Sequence, residues 1–275
     1  MIFIITALMA EAAPIIEHFK LKKDITNNTY QLYRNYDIVL IISGVGKIKS
    51  AMAATYLFST YNSKERNFLI NIGFCGTNSS KYRLGTPLLI HKITDVDTNY
   101  DYYPDIFIDS TLPREALYCY SKPVKKENIN TKEDIFCDME SSGIMEVSKK
   151  FTYSHEVVII KIISDYLSIE NLNHEILKNY IKDNILYIEQ IIKQLKSLNY
   201  SFNELFMEEE ENFLDIISDN LRFTTSMKQI LLKKIKKAKL EHKEPLKVLK
   251  LFTEINVNSK IEGKKIFEQI IDKLK

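Results

Sequence analysis

The run from Val157 to Ile163, VVIIKII, constrains this chain most. It is apolar at every position but Lys161. A continuous run of mostly β-branched residues predicts a strand buried on both faces, the kind found at the centre of α/β sheets. The run stops on Ser164-Asp165, which puts a carboxyl group at the strand's C-terminal edge, where open α/β sheets hold their ligands. Just upstream, Asp138-Met139-Glu140 is predicted to open a helix running to about Phe151. Glu140 and Asp165 thus form a candidate carboxylate pair from adjacent elements.

The same grammar recurs from the start of the chain. Ile2 to Ala7 predicts a buried first strand, with Glu11 following its carboxyl end and a helix over Ala12 to Phe19 that tolerates Pro14 in its first turn. Tyr30–Arg34 and Ile38–Ile42 predict a strand pair. Ser43-Gly44-Val45-Gly46-Lys47 then turns the chain into a helix over Ile48–Tyr61, its glycines exposing amide groups ahead of the helix. Phe68–Ile72 predicts another buried strand, running into a second glycine turn, Gly73-Phe74-Cys75-Gly76-Thr77. Strands are expected at Leu84–Ile93 and Ala116–Tyr120, a tyrosine- and aspartate-rich loop at Thr94–Asp109, and a flexible lysine-rich segment at Ser121–Asp134. After a polar stretch containing Asn171, Asn173 and His174, one long amphipathic helix is expected to Leu198. Alternating strands and helices argue an α/β domain with a mostly parallel or mixed sheet.

Beyond Asn199 the character changes. Gly263 is the single glycine, no strand pattern remains, and helices are expected at Phe202–Ser218, Ser226–Leu240, Pro245–Ile255 and Ser259–Leu274. The expected division is an α/β domain over 1–198 and a C-terminal all-helical domain over 199–275, whose role the residues do not reveal. The acidic run Glu208–Glu211 and the basic run Lys233–Lys239 read as solvated helix faces.

Charge narrows the partners. The 38 Lys and Arg are balanced by 36 Asp and Glu, 15 against 13 of them after residue 198, so neither part is a polycation and nucleic acid is not expected. The opening MIFIITAL is too short to span a membrane and has no basic leader. Three cysteines, Cys75, Cys119 and Cys137, and five scattered histidines show no metal spacing, so no metal or cofactor is expected. An odd cysteine count without a leader points to the reducing cytoplasm.

Four segments in order carry a family resemblance: IITALMAEAAPII from Ile4, SGVGKIKSAMAAT from Ser43, NIGFCGT from Asn71, and DMESSGI followed about 25 residues on by IKIISD, ending at Asp165. Together they resemble the nucleoside phosphorylase superfamily, most closely its methylthioadenosine/S-adenosylhomocysteine nucleosidase branch. The likeness covers the first 198 or so residues. It implies a three-layer sandwich with a central mixed sheet, a purine nucleoside as substrate, and a homo-oligomer, with a dimer the leading expectation.

By position, the resemblance implies that Asp165 protonates or hydrogen-bonds purine N7, with Ser164 orienting its carboxyl group. Glu140 would accept the ribose hydroxyls and Met139 would pack on the sugar. Glu11 would be the base near the attacking water. Cys75 and Gly76 would lie along the nucleoside, and Lys122, Pro123 and Val124 would hold the base through their backbone. Phe74 occupies the place of the branch's water-site serine, and Lys161 that of an arginine, keeping the charge but losing the fork.

The chemistry agrees with these roles. Breaking an N-glycosidic bond leaves a cationic sugar and an anionic purine. A proton delivered to the purine is worth about 10²–10⁴-fold and needs an aspartate that burial keeps partly protonated. Carboxylates near the sugar stabilise its developing charge. The phosphorylases' arginine-bearing phosphate motif is missing from Ala7–Ala13, which favours water as nucleophile. Three readings follow: a hydrolytic nucleosidase first, a phosphorylase second, and third a catalytically silent nucleoside-binding or regulatory protein with the C-terminal helical region as its interaction module. As local structure alone, Glu11 could instead cap a helix start and Asp165 a strand-to-helix turn.

Overall fold

The computed structural model describes residues 1–275 except 62–65, 129–132, 169–172, 205–207, 241–242, 258 and 275. Asn171 and part of the lysine-rich segment before Asp134 lie outside the described residues. The chain divides into two compact units, Met1–Lys196 and Ser197–Lys275.

The first unit is built on a ten-stranded mixed sheet in the order β10-β6-β8-β9-β5-β1-β4-β3-β2, with β7 paired to β6. The strands are β1 (Ile2–Thr6), β2 (Lys22–Lys23), β3 (Gln31–Arg34), β4 (Ile38–Ile42), β5 (Phe68–Thr77), β6 (Pro87–Asp95), β7 (Tyr100–Tyr102), β8 (Arg114–Cys119), β9 (Phe136–Asp138) and β10 (Val157–Asp165). The apolar runs are the central strands: β1 lies parallel between β4 and β5, and β10 runs parallel to β5. Because β10 also pairs antiparallel with β6, the strands β5, β10, β6, β8 and β9 close into a ring.

Helices cover both faces. Phe3, Ile5, Val39 and Leu69 point to a core that includes Ala53, Leu57 and Phe58 of α2 (Lys47–Thr60) and Ile144 and Met145 of α3 (Ser141–Phe151). Strand alternation sends Ile2 and Ile4 to the opposite face, where α1 (Met9–His18) packs against β1, β4 and β5 and against α4 (His174–Asp183). The central mixed sheet expected from the sequence is present.

Several local expectations change. Asp138 ends the short strand β9 and does not open a helix; α3 begins at Ser141 because the Asp138 carboxylate accepts the N–H groups of Glu140 and Ser141, at 3.2 and 2.9 Å. The Thr94–Asp109 segment contains a strand, β7, paired to β6. α1 starts at Met9, earlier than predicted, so Pro14 falls inside it. The long helix predicted to Leu198 is two helices, α4 and α5 (Ile185–Glu204). The Asn184 side-chain amide ends α4 by donating to Tyr180 O and to Gly85 O, each at 2.8 Å.

The second unit holds α6 (Glu208–Asn220), α7 (Thr225–Leu240), α8 (Pro245–Lys250) and α9 (Lys260–Lys273). Its own apolar core joins Leu214, Ile217, Leu221, Leu231, Ile235, Leu249, Phe252 and Ile270. Gly263 is required there: a Cβ at this position would stand 2.2 Å from the Leu221 carbonyl oxygen.

Candidate active site

The C-terminal ends of β1, β5, β9 and β10 meet at one hollow with about 730 Å³ of empty space open to solvent. Glu11, Phe74, Cys75, Gly76, Val124, Met139, Glu140, Ser164 and Asp165 all line it, as do Lys122 and Pro123. Lys161 does not. Its side chain is 1% exposed, beneath the floor of the hollow, and its ammonium pairs with Asp138 Oδ2 at 2.9 Å and approaches Glu140 Oε2 at 4.0 Å. The substrate-contacting place expected for Lys161 is therefore corrected to a supporting one: a buried ammonium needs carboxylate partners, and those partners stand between it and the opening.

Glu11 sits in the first turn of α1, just past β1. Its Oε2 accepts the Ala7 and Leu8 N–H groups at 2.6 and 2.9 Å, so it does cap the helix start. Its Oε1 accepts the Phe74 N–H at 3.2 Å, from within β5, which continues as strand through the Gly73–Thr77 stretch expected to be a turn. Gly73 makes that approach possible: a Cβ there would lie 3.1 Å from Glu11 Oε1 and 3.2 Å from Lys161 Nζ. Burial is the largest influence on Glu11. It outweighs the nearby Lys161 ammonium and the backbone donors, and its pKa is pushed up to about 7.

Glu140 occupies the turn between β9 and α3. Its Oε1 accepts the Gly46 N–H at 3.0 Å, which is what the second glycine of the Ser43–Lys47 turn supplies at a φ of 114°. Burial raises its pKa; Lys161 opposes the rise and Asp138 adds to it. Burial also works against the charge on Asp138, but Lys161 beside it holds that carboxylate below its usual range. Burial likewise disfavours the Lys161 ammonium, yet Asp138, Glu140 and Glu11 together keep it charged. One cation thus faces three buried carboxylates, and Glu11 and Glu140 are the two whose protons are held more tightly.

Asp165 is half-buried at the rim, unlike Glu11 and Glu140, which are buried. Ser164 Oγ lies 2.6 Å from Asp165 Oδ2 and 3.2 Å from Cys75 O. The ladder between β10 and β5 slips here, with Ile163 opposite Cys75 and Asp165 opposite Gly76, so Ser164 is the extra residue of a bulge. Bulges re-aim side chains beside functional sites. A Cβ on Gly76 would meet Asp165 Oδ1 at 3.1 Å and Leu167 Cδ2 at 3.0 Å. Among the described residues, no group of three or more His, Cys, Asp or Glu is placed to hold a metal ion, and no helix is long and apolar enough to cross a membrane.

Asp138 is the residue that sequence reasoning missed. The signal was the lone lysine in the buried VVIIKII strand, which requires a buried acidic partner elsewhere in the fold.

Comparison with known proteins gives a consistent picture. The chain is 31% identical over 186 residues to the 5'-methylthioadenosine/S-adenosylhomocysteine nucleosidase of Buchnera aphidicola subsp. Acyrthosiphon pisum, covering 54% of this chain and 77% of that one. It is 28% identical over 222 residues to the enzyme of the same name from Buchnera aphidicola subsp. Schizaphis graminum, covering 67% and 92%. The solved structure of the Colwellia psychrerythraea nucleosidase, a complex with adenine, shares the fold at a TM-score of 0.57 and 17% identity, over 70% of this chain and 95% of that one. No protein-family model matches. The chain belongs to the methylthioadenosine/S-adenosylhomocysteine nucleosidase family.

Proposed function

We propose that the protein hydrolyses the N-glycosidic bond of a purine nucleoside of the methylthioadenosine or S-adenosylhomocysteine type. One observation carries the reading: Glu11, Glu140 and Asp165, from three separate parts of the chain, face a single hollow. In this reading Asp165 gives a proton to purine N7 as the bond from C1′ to the base breaks. Glu140 accepts the ribose hydroxyls, with Met139 against the sugar. Water adds to C1′ and its proton passes to Glu11, whose pKa near neutrality suits a general base. Val124 and its neighbours, with Cys75, Gly76 and Phe74, flank the nucleoside, and Ser164 orients Asp165.

Water is favoured as the nucleophile by the lining of the hollow. Lys122 is the one basic side chain among the described residues there, and no arginine offers a phosphate a two-pronged clamp. We further infer a homodimer working in the cytoplasm. Exposed apolar side chains such as Ile48, Met52 and Phe107 support the first, and three buried cysteines in the free thiol form support the second.

The test is incubation of the purified protein with a panel of purine nucleosides, with and without inorganic phosphate. Free base released without phosphate is the expected result. Strict dependence on phosphate would mean a phosphorylase. Tight binding with no turnover would mean a silent binding protein, a reading that Phe74 in the water-site position favours.

A further inference from the structure

Lys47, the last residue of the Ser43–Lys47 turn, has no part in the site described above. Its ammonium sits 2.8 Å from Asp95 Oδ2 and 2.6 Å from Asp97 Oδ2, with only 15% of its side chain exposed. Asp95 is held in turn by the Ser142 hydroxyl at 2.6 Å and by the N–H groups of Asp97 and Thr98 at 3.1 and 3.0 Å. Asp97 reaches further: its Oδ2 also accepts a hydrogen bond from the Ser121 hydroxyl. Ser121 is the first residue of the segment whose Lys122, Pro123 and Val124 line the hollow. Among the described residues that segment is also held by Tyr120 N–H to Asp138 O at 2.9 Å, by Lys126 N–H to Leu167 O at 3.3 Å and by the packing of Val124 against Ile135, Cys137 and Leu167.

The backbone of the same lysine is fixed on the opposite side of the site. Gly46, its neighbour, holds Glu140. The Ser50 hydroxyl lies 2.9 Å from both Lys47 O and Glu140 O. A Cβ on Gly143 would be 2.2 Å from Lys47 O, so the starts of α2 and α3 touch through their backbones. Lys47 therefore joins the glycine turn that holds Glu140 to the segment over the hollow.

We propose that Lys47 is a positioning residue, which through Asp97 and Ser121 straps the Lys122–Val124 segment across the base end of the hollow. This rests on the nucleosidase reading for which end takes the base, and on geometry alone for the strap. Without the strap the segment samples open positions. The apparent affinity then falls by the fraction of time it is in place, while the filled site, once closed, works as before. Loss of the strap should raise KM and leave kcat nearly alone.

The experiment uses the full chain with Asp97→Ala, Ser121→Ala and the double variant. Asp97 is 53% exposed, so these changes spare the buried Lys47–Asp95 pair and the fold. Limited trypsin digestion reads the strap without any nucleoside: cleavage after Lys125 and Lys126 should quicken by about 10-fold in each single variant and no more in the double, as the local opening equilibrium shifts. Turnover of methylthioadenosine should show KM up by about 5- to 10-fold with kcat within about threefold. Unchanged digestion overturns the strap. Faster digestion with unchanged KM, or a loss confined to kcat, overturns its role in the site. A wild-type protein that releases no base defeats the nucleosidase reading, and the digestion result still decides the strap.

Discussion

Lys161 Nζ and Asp138 Oδ2 lie 2.9 Å apart with 1% and 0% of their side chains exposed, a salt bridge closed off beneath the candidate site. Both charges are out of water, so each depends on the other. Replacing Lys161 by Met leaves Asp138 buried and unpaired next to Glu140. We expect Lys161→Met to lower the stability by about 3–5 kcal/mol in urea unfolding. A loss below about 1 kcal/mol would mean the pair is not load-sharing in the way the distances imply.

Glu11 makes stability depend on pH in a direction opposite to that of most carboxylates. Its pKa rises from 4.5 when unfolded to about 7 when folded. Between those values the folded state holds a proton that the unfolded state has released. Stability from this group is therefore complete below pH 4.5 and is lost as pH rises through about 7, a change on the order of 3 kcal/mol. Glu11→Gln carries no such titration. The difference in unfolding free energy between wild type and Glu11→Gln should drift across this window and level off above it; a flat difference from pH 5 to 8 would contradict the shift.

The same titration predicts the rate profile. If ionised Glu11 receives the proton of the attacking water, kcat/KM should climb as pH passes through about 7. Glu11→Gln should lose most turnover at every pH, about 10²-fold or more. Full activity in that variant would remove Glu11 from the reaction.

Asp165 is the half-buried acid at the rim, with the Ser164 hydroxyl 2.6 Å away. Asp165→Asn keeps the shape and should leave the melting temperature within a few degrees while lowering kcat by about 10²–10⁴-fold. Rates like those of the wild type would defeat its assignment as the proton donor.

Gly76 has no side chain because Asp165 and Leu167 occupy the space. In Gly76→Ala the new methyl group pushes the Asp165 carboxylate by a few tenths of an ångström or more. Misplacement of a reacting group costs activity steeply, so kcat/KM should drop at least about 10-fold with a stability change near 1 kcal/mol. A variant with unchanged kinetics would show that the acid tolerates displacement.

The residues that were legible in the sequence are those whose environment is uniform. β4 and β10 are apolar on both faces and could be read as buried strands without knowing their neighbours. The meeting of Glu11, Glu140 and Asp165 followed from strands ending on carboxylates, together with the family resemblance. β7 was illegible because Tyr-Asp-Tyr is a polar edge partner whose strand character comes from β6. β9 is three residues long and ends on an acid that reads equally as a helix cap. The break at Asn184 depends on Gly85, 99 positions away. The Lys161–Asp138 pair was signalled by its lysine, but choosing the partner required the strand order. The Lys47 strap joins four separated segments, and no local pattern announces it.

The bulge at Ser164 implies that this end of β10 tolerates new letters better than a new count. Exchanging the serine alters one hydroxyl contact. Deleting it would bring the ladder back into regular step with Asp165 directly after Ile163, and the local bend that aims its carboxylate would be lost. Insertions and deletions between Ile163 and Tyr166 should therefore be rarer among working relatives than substitutions at position 164, since the acid's bearing is stored as a length of backbone.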